Sequence, residues 1–207
     1  MSPLTVFIRT LLKSSAICLG IAMAVVQPSI GDGSANSATA RQSSVEAAID
    51  GLVTALKDSD AGVRQHAASA LGRLASRRAV PALIEAARDE QPEVRLRVVI
   101  ALGEIGDTRA LPALTAALKD ADARVRARAA SALGEMGDRS SVDALIGSVA
   151  DSDTSVKRRA ILALAEIGDT RAVNAIAAAL KDEDASVRRA AVHALAELGG
   201  GAPDDER

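Results

Sequence analysis

The sequence contains almost no aromatic side chains and a single cysteine. It has one Phe, no Tyr and no Trp in 207 residues, and both Phe7 and Cys18 lie near the N-terminus. These absences exclude a disulfide-built scaffold, a cysteine zinc site, a cysteine nucleophile and an aromatic platform for stacking nucleobases. Beyond the N-terminal segment, a core has to be built from aliphatic side chains.

Neither sign of charge is in large excess. The chain carries 25 Lys and Arg against 27 Asp and Glu, and 48% of its residues are hydrophobic. A hydrophobic fraction of this size is typical of a folded soluble protein rather than of a disordered one. A protein that binds nucleic acid needs a basic footprint, which this composition does not provide. We therefore expect a folded protein with no nucleic-acid partner.

Residues 1–40 have the order of segments that is typical of a secretory signal peptide followed by a flexible linker. Arg9 and Lys13 precede an apolar run at residues 14–26. That run is short for a membrane span, which needs about 20 apolar residues. We expect cleavage between residues 30 and 40, no stable membrane insertion afterwards, and a periplasmic or extracellular protein. The alternatives are an uncleaved inner-membrane anchor and a cytosolic protein.

The rest of the chain, from about Val45 to Leu198, repeats itself every 31 residues without an insertion. One column of equivalent positions reads Val63, Val94, Val125, Val156 and Val187. The next reads Arg64, Arg95, Arg126, Lys157 and Arg188. A third reads Leu71, Leu102, Leu133, Leu164 and Leu195. Repetition at a fixed period of 20–50 residues indicates a solenoid or a related array.

Each copy of the repeat predicts two helices. In the third copy, Leu111 and Leu114 have helical spacing, and Pro112 falls in the first turn, where its missing N–H costs least. Asp122 is placed to cap the second helix, which Gly137 then ends. The predicted fold is therefore all-α, with about five helix pairs.

The array is predicted to occupy residues 41–200, with a polar tail at residues 201–207. Residues 43–46 read Ser-Ser-Val-Glu, which matches a capping box. We therefore expect the first helix of the array to begin there.

The repeated text resembles the HEAT repeat superfamily, and more narrowly the short HEAT-like repeats named after phycobilisome (PBS) lyases. The matching text is ALGEIGDTRALPALTAALKDADARVR at residues 101–126, with near-copies at 132–157 and 163–188. This resemblance implies an armadillo-type, right-handed α-solenoid whose second helices line a concave face. It also implies macromolecular binding more often than catalysis.

Two further columns are interpreted as structural. An aspartate lies six residues before each cation of the Arg64 column, and in HEAT-type repeats such groups form a ladder of hydrogen bonds between successive turns. These aspartates are Asp58, Asp89, Asp120, Asp151 and Asp182. The glycines Gly72, Gly103 and Gly134 indicate close packing, because no Gly-rich loop follows a strand here.

The positions expected on the concave face vary between repeats, whereas the packing columns do not. Apolar residues stand where solvent is expected, with arginines beside them. The predicted partner-binding residues are Leu96, Arg97, Ile100, Arg128, Arg158, Arg159 and Leu162. An apolar patch rimmed by charge is a usual sign of a binding surface. The alternative is a set of solvated ion pairs on one helix face, such as Arg128 with Glu135.

Catalytic functions find little support in the sequence. HEAT-like folds include deoxyhypusine hydroxylase, whose iron sites resemble repeated His-Glu pairs. Here His66 and His193 are the two histidines, and each is followed by Ala. A metal site needs several clustered ligands, so we expect no metal, no cofactor and no enzyme activity.

We therefore expect a non-catalytic scaffold or adaptor that binds a protein or peptide on its concave face, with an acidic partner favoured by the arginines. One alternative is an accessory or chaperone subunit of a lyase- or oxidoreductase-type HEAT-like enzyme system, although no aromatic side chain is available to stack on a tetrapyrrole. Another is self-association through the terminal repeats, which changes at Ala191 or Val192 would disturb.

Overall fold

The computed structural model describes the backbone of residues 34–199 and the side chains of residues 43–199. Within that range the chain forms ten α-helices and five short 3-10 helices, with no strand. None of the described helices combines the length and the apolar character needed to cross a bilayer. The charged start and apolar run of the predicted signal peptide, and the polar tail, lie outside the described residues.

The ten helices form five pairs. The first helices of the pairs are α1 (Ser34–Ala55), α3 (Val80–Ala86), α5 (Leu111–Ala117), α7 (Val142–Ser148) and α9 (Val173–Ala178). The second helices are α2 (Ala61–Arg73), α4 (Pro92–Ile105), α6 (Ala123–Met136), α8 (Thr154–Ile167) and α10 (Ala185–Gly199). The 3-10 helices are Arg77–Ala79, Thr108–Ala110, Arg139–Ser141, Thr170–Ala172 and Ala179–Lys181. The predicted all-α array of five helix pairs is confirmed.

The start of α1 differs from the prediction. The helix begins at Ser34, so residues 34–40 are helical rather than part of a flexible linker, and the capping box at residues 43–46 lies inside the helix. The physical reason is the absence of any Gly or Pro between Ser34 and Asp50. With several alanines and no breaker, nothing in this stretch stops helix propagation.

The predicted caps of the second helices are confirmed. A carboxylate before each of four second helices accepts a hydrogen bond of 2.7–2.9 Å from an N–H of the first turn. These carboxylates belong to Asp60, Asp122, Asp153 and Asp184. The remaining second helix, α4, has Gln91 at this position without a side-chain bond, and Pro92 begins the helix.

Left-handed residues end the second helices. Gly106, Gly137 and Gly168 follow α4, α6 and α8 with φ of 64°, 67° and 72°. After α2 the equivalent position is Ala75, which adopts φ 48°. A left-handed residue with a Cβ costs about 1–2 kcal/mol, so the first repeat keeps the shared loop shape at the expense of backbone strain.

The core is aliphatic throughout. In the interior repeats, the repeated leucine of each second helix (Leu102, Leu133 and Leu164) and the valine near its start are buried. Leu102, Leu133 and Val125 are examples, each at most 1% exposed. Each helix pair packs mainly on its neighbours in the row, which is how repeat proteins bury their apolar surface.

An inter-repeat ladder of side-chain bonds runs along the loops that join first to second helices. Arg64 donates from Nε to Oδ2 of Asp89 over 2.7 Å and from Nη2 to Oδ1 over 2.9 Å. The other members of the ladder are Arg95 with Asp120, Arg126 with Asp151, and Lys157 with Asp182. The predicted ladder is confirmed, and each cation bonds the aspartate of the following repeat, 25 residues further on.

Each ladder arginine also holds the loop of its own repeat. Arg126 Nη1 donates to the carbonyl oxygens of Asp120 and Ala121, at 2.9 and 3.2 Å. Lys157 has only one terminal nitrogen. It makes a single 2.7 Å bond from Nζ to Asp182 Oδ2 and none to its own loop. The junction between the fourth and fifth pairs is therefore fastened by fewer bonds than the three junctions before it.

Candidate partner-binding face

Consecutive second helices approach each other closely at the glycine column. A Cβ placed on Gly103 would lie 2.9 Å from Cβ of Ala132, and one placed on Gly134 would lie 2.7 Å from Cα of Ala163. Real Cβ atoms essentially never come so close, so no larger residue fits here without movement of the helices. The sequence-based interpretation of these glycines as close-packing positions is confirmed.

The second helices present three parallel rows of side chains, which we call the second-helix face. Because the rows are spaced at i, i+3 and i+7 along each helix, they lie on one side of it. The first row is His66, Arg97, Arg128 and Arg159. The middle row is Ser69, Ile100, Ser131 and Leu162. The third row is Arg73, Glu104, Glu135 and Glu166.

Between α6 and α8 this face forms a groove of about 270 Å³. Its lining consists of Ala127, Arg128, Ser131 and Glu135 from α6, and Arg159, Leu162, Ala163 and Glu166 from α8. Two cations therefore stand on one side of the groove and two carboxylates on the other, with Ser131 and the half-buried Leu162 between them. Three of the predicted binding residues, Arg128, Arg159 and Leu162, meet here.

Arg128 is half-buried in the groove. Its Nη1 donates to Oε1 of Glu135 over 3.1 Å, which confirms one of the ion pairs weighed from the sequence. Its Nε is buried and has no acceptor, alone among the buried side-chain nitrogens and oxygens of residues 43–199. A buried donor without a partner costs about 1–3 kcal/mol, so an acceptor delivered to this atom would be stabilising.

The other four predicted residues do not line this groove. Arg97 is exposed on α4, and Ile100 is half-buried on the same helix. Leu96 is half-buried and packs against the core, while Arg158 is half-buried at the start of α8. Arg97 and Ile100 extend the first and middle rows by one repeat, but the structure does not bring them to the groove itself.

Helical spacing predicts Glu135 and Glu166 on the open face of the second helices, but they were not among the predicted binding residues. The third row has a signal in the sequence, since a glutamate stands at every equivalent position from Glu104 to Glu197. The groove is therefore of mixed charge rather than basic.

The two histidines lie in no cluster of potential metal ligands in the described part of the chain. His66 is exposed, with Nδ1 2.6 Å from the carbonyl oxygen of Gly62. His193 is exposed, with Nε2 3.8 Å from Oε1 of Glu197. Among the side chains that the structure describes, no group of three or more His, Cys, Asp or Glu is placed to hold a metal ion.

Several aspartates in the loops between helices have lowered pKa values. Three of them have a pKa of about 2, chiefly because an arginine two residues further along donates side-chain hydrogen bonds to the carboxylate. They are Asp107, Asp122 and Asp169. Burial acts to raise the pKa of Asp89, but hydrogen bonds from Arg64 and from the Gln91 amide outweigh burial and hold it below its usual value. These carboxylates are thus ionised at neutral pH and serve as fixed acceptors.

Comparison with known proteins shows to which family this chain belongs. HEAT repeats are matched at residues 37–92, 49–124, 80–156 and 146–205, and the chain belongs to the HEAT repeat family. Among curated proteins, no sequence matches this chain significantly.

Solved structures agree with this assignment. The complex of CpcE and CpcF of phycocyanin lyase from Nostoc sp. PCC7120 is similar with a TM-score of 0.65 and 25% identity, over 86% of this chain and 69% of that chain. The predicted likeness to the PBS lyase type of HEAT-like repeat is confirmed.

Two artificial repeat proteins show the fold alone. A designed armadillo repeat protein in complex with the peptide (KR)4 has a TM-score of 0.59 and 20% identity, over 76% of this chain and 84% of that chain. An engineered protein has a TM-score of 0.56 and 24% identity, over 79% and 85% of the two chains. The array is thus an α-solenoid of the armadillo and HEAT type, an architecture suited to binding other proteins.

Proposed function

We propose that this protein is a non-catalytic scaffold that binds a protein or peptide segment across its second-helix face, centred on the groove between α6 and α8. The observation that carries this proposal is the groove itself, in which Leu162 lies between paired cations and carboxylates and Arg128 Nε has no acceptor. The HEAT-type solenoid supports it, because such arrays offer extended binding surfaces.

The size of the groove indicates what enters it. At about 270 Å³ it is slightly smaller than a typical small-molecule pocket of about 300–1,000 Å³. It suits one or two side chains of a longer segment that lies along the rows. Leu162 offers apolar contact in the groove, and Ile100 continues the middle row one repeat earlier.

The chemistry of the first row favours a carboxylate on the partner. Arg128 and Arg159 border the groove, Arg97 extends their row, and Arg158 adds a further cation beside it. An acidic side chain or a backbone carbonyl oxygen could supply the acceptor that Arg128 Nε lacks. Because Glu135 and Glu166 also line the groove and Glu135 already pairs with Arg128, a carboxylate of the partner is favoured near Arg159 and Arg97 and disfavoured near the glutamates.

A peptide library displayed on phage tests this proposal without a known partner. We expect selection on the wild-type protein to enrich segments in which Asp or Glu lies close to a large apolar residue. A recovered peptide should bind Leu162→Ser and Ile100→Ser at least about tenfold more weakly, as expected for truncated anchors. Arg128→Glu should lower the association rate and weaken its salt dependence.

Arg88→Glu is the matched control, since Arg88 is exposed and lies outside the second-helix face. Its affinity should equal that of the wild-type protein. If the selected peptides bind Leu162→Ser, Ile100→Ser and Arg128→Glu as tightly as they bind the control, the groove is not the binding site.

A second candidate function is that of an accessory subunit in a lyase-type enzyme system. Its support is the likeness to the CpcE and CpcF complex, in which HEAT-like chains associate as parts of a phycocyanin lyase. A stable complex with a different HEAT-like chain from the same cells, isolated and resolved by mass spectrometry, would favour this function over peptide binding.

We also propose that the protein is exported. In the first 40 positions, charged, apolar and small residues follow one another in the order of a signal peptide. N-terminal sequencing of the protein from fractionated cells tests it. Loss of the first 30 to 40 residues and a periplasmic or extracellular location are expected, and an intact N-terminus in the cytosol would contradict the proposal.

A further inference from the structure

The two ends of the array expose side chains that are buried in every other repeat. On α10, Val192 is 60% exposed, whereas its equivalents in the four earlier pairs are at most 1% exposed. These equivalents are Ala68, Val99, Ala130 and Ile161. On α2, Val63 is 40% exposed, whereas the valines at the same position in the four later pairs are at most 1% exposed.

Both exposed surfaces are wider than one residue. At the C-terminal end, Leu180 is 38% exposed, whereas its equivalents Leu118 and Val149 are 5% and 9% exposed. At the N-terminal end, Leu52 is half-buried although its equivalents from Leu83 to Ile176 are fully buried. Leu52 and Val63 line an open groove of about 680 Å³, together with small residues and with Asp60, His66 and Arg73. Terminal repeats of soluble arrays usually present polar outer faces, whereas these two ends also expose apolar side chains.

The inter-repeat ladder is also open at both ends, and with opposite charges. Arg188 Nη1 donates to the carbonyl oxygens of Asp182 and Glu183 at 2.7 Å each, as every ladder arginine does in its own loop. Within residues 43–199, no aspartate bonds the rest of its guanidinium. Asp58 Oδ1 accepts the N–H of Asp60 over 2.8 Å, as every ladder aspartate does in its own turn, and no described arginine reaches it.

We propose that copies of this chain assemble head to tail, with the C-terminal end of one copy on the N-terminal end of the next. Arg188 of one copy then bonds Asp58 of the following copy, and Val192 and Leu180 pack on the groove formed by Leu52 and Val63. The template is the junction between the third and fourth pairs, where Arg126 bonds Asp151 in the same way. Since equivalent positions recur every 31 residues, the fifth pair of one copy presents to the first pair of the next the same positions that join neighbouring pairs within the chain.

Such an interface is heterologous, because each copy uses two different surfaces. Repetition of a heterologous contact gives a ring if the rotation closes and an open filament if it does not. Ala191, which sequence analysis grouped with Val192, takes no part, because it is fully buried within α10. This correction leaves Val192 as the exposed apolar residue of the pair.

Charge reversal on the full chain tests the proposal. We expect the average mass of the wild-type protein in sedimentation velocity to rise with concentration. Arg188→Asp places an aspartate against Asp58 of the next copy, and Asp58→Arg places two arginines together. Each single variant should therefore associate at least about tenfold more weakly than wild type, which corresponds to about 1.4 kcal/mol.

The decisive measurement is an equimolar mixture of the two variants. In the mixture, the altered C-terminal end meets the altered N-terminal end with opposite charges, and the two unaltered ends form a wild-type junction. Assembly should therefore return with the two variants in alternation. Arg88→Asp, at an exposed position away from both ends, should assemble like wild type. Circular dichroism identical to wild type ensures that each variant is folded.

Three results would overturn the proposal. The first is a wild-type protein that stays monomeric at every concentration. The second is assembly that neither single variant weakens. The third is a folded pair of single variants that fails to assemble on mixing. Val192→Asp adds an independent check, since it should reduce assembly of the wild-type chain and of the mixture alike.

Discussion

Arg126 and Arg128 lie two residues apart on α6 and bond to different parts of the molecule. Both side chains are largely covered, at 14% and 26% exposed. Arg126 bonds a carboxylate of the next repeat and two carbonyl oxygens of its own loop, and its column holds a cation in all five repeats. Arg128 bonds a carboxylate of its own helix, and its column changes from His to Arg to Ala. Side-chain exposure therefore does not separate a structural arginine from a candidate binding arginine. The two kinds of arginine are separated by where the bonded carboxylate lies and by whether the column is constant.

The largest expected effect concerns neither arginine but the core between α6 and its neighbours. Ala129 is fully buried one residue beyond Arg128. Ala129→Asp would place an unpaired charge there, which is strongly unfavourable. We expect a loss of more than about 4 kcal/mol, enough to unfold a marginally stable array. Loss of helical circular dichroism at room temperature is the measurement.

Ala121→Asp is the control, since Ala121 is exposed and its equivalents in two other repeats are Glu90 and Glu183. It should leave stability nearly unchanged. A stable, helical Ala129→Asp protein would contradict the assignment of this position to the core.

Acid should weaken the ladder and the caps together. Hydrogen bonds lower the pKa of four ladder aspartates and of Asp184 in the folded state, and they lower the pKa of Asp122 before α6, and of Asp107 and Asp169 in the loops, to about 2. The four ladder aspartates are Asp89, Asp120, Asp151 and Asp182. Between about pH 4 and pH 2 the unfolded chain therefore binds more protons than the folded one. The stabilisation is complete above about pH 4 and is lost as the pH falls towards 2. A melting temperature that does not change between pH 6 and pH 2 would refute this expectation.

The loss of stability on removing the ladder arginine Arg126 can be compared with the loss on removing Arg128. Arg126→Ala leaves Asp151 without its cation and the loop carbonyl groups of Asp120 and Ala121 without their donor. We expect a loss of about 2–3 kcal/mol in the free energy of unfolding from urea denaturation. Arg128→Ala removes one partly exposed ion pair and an unsatisfied Nε, so the loss should be below about 1 kcal/mol. Equal losses would show that the two arginines do not differ in role.

The smallest expected effect is a gain in stability at the junction between the fourth and fifth helix pairs. Lys157→Arg would restore the second bond to Asp182 and provide a donor for the loop carbonyl groups of residues 151 and 152. We expect a gain of about 1 kcal/mol in the free energy of unfolding. Lys181→Arg, at an exposed lysine, is the matched control and should change little. A Lys157→Arg variant no more stable than this control would show that the ladder bonds in this junction add nothing.

The repeat period predicts most of this fold. Constant columns are constant because each junction buries the same atoms, so the pairs, caps and glycines could be found from spacing, and the resemblance to HEAT-type repeats implied the ladder. The pairing of Arg126 with Asp151 could not, because a spacing of six residues links each cation only to the aspartate of its own loop. The left-handed conformation of Ala75 could not be predicted either. Its equivalents in the following three repeats are Gly, and the sequence does not show that an alanine adopts the same backbone conformation.

The candidate site was predicted less completely. The rows of the second-helix face follow from helical spacing, and Arg128, Arg159 and Leu162 were found in this way. Which side chains line the groove depends on rotamers and on the distance between two helices, neither of which the spacing specifies. For this reason Arg158 was included although it lies outside the groove, and Glu135 and Glu166 were not recognised as lining residues.

The single bond of Lys157 also bears on the order in which the molecule comes apart. In a row of modules that contact only their neighbours, opening begins where the coupling between modules is weakest. For this chain the weakest coupling lies at the junction between α8 and α10, in the last helix pair of the array. Amide hydrogens of α10 should therefore exchange with solvent earlier than those of α6, and the last helix pair would detach as a unit while four pairs remain folded.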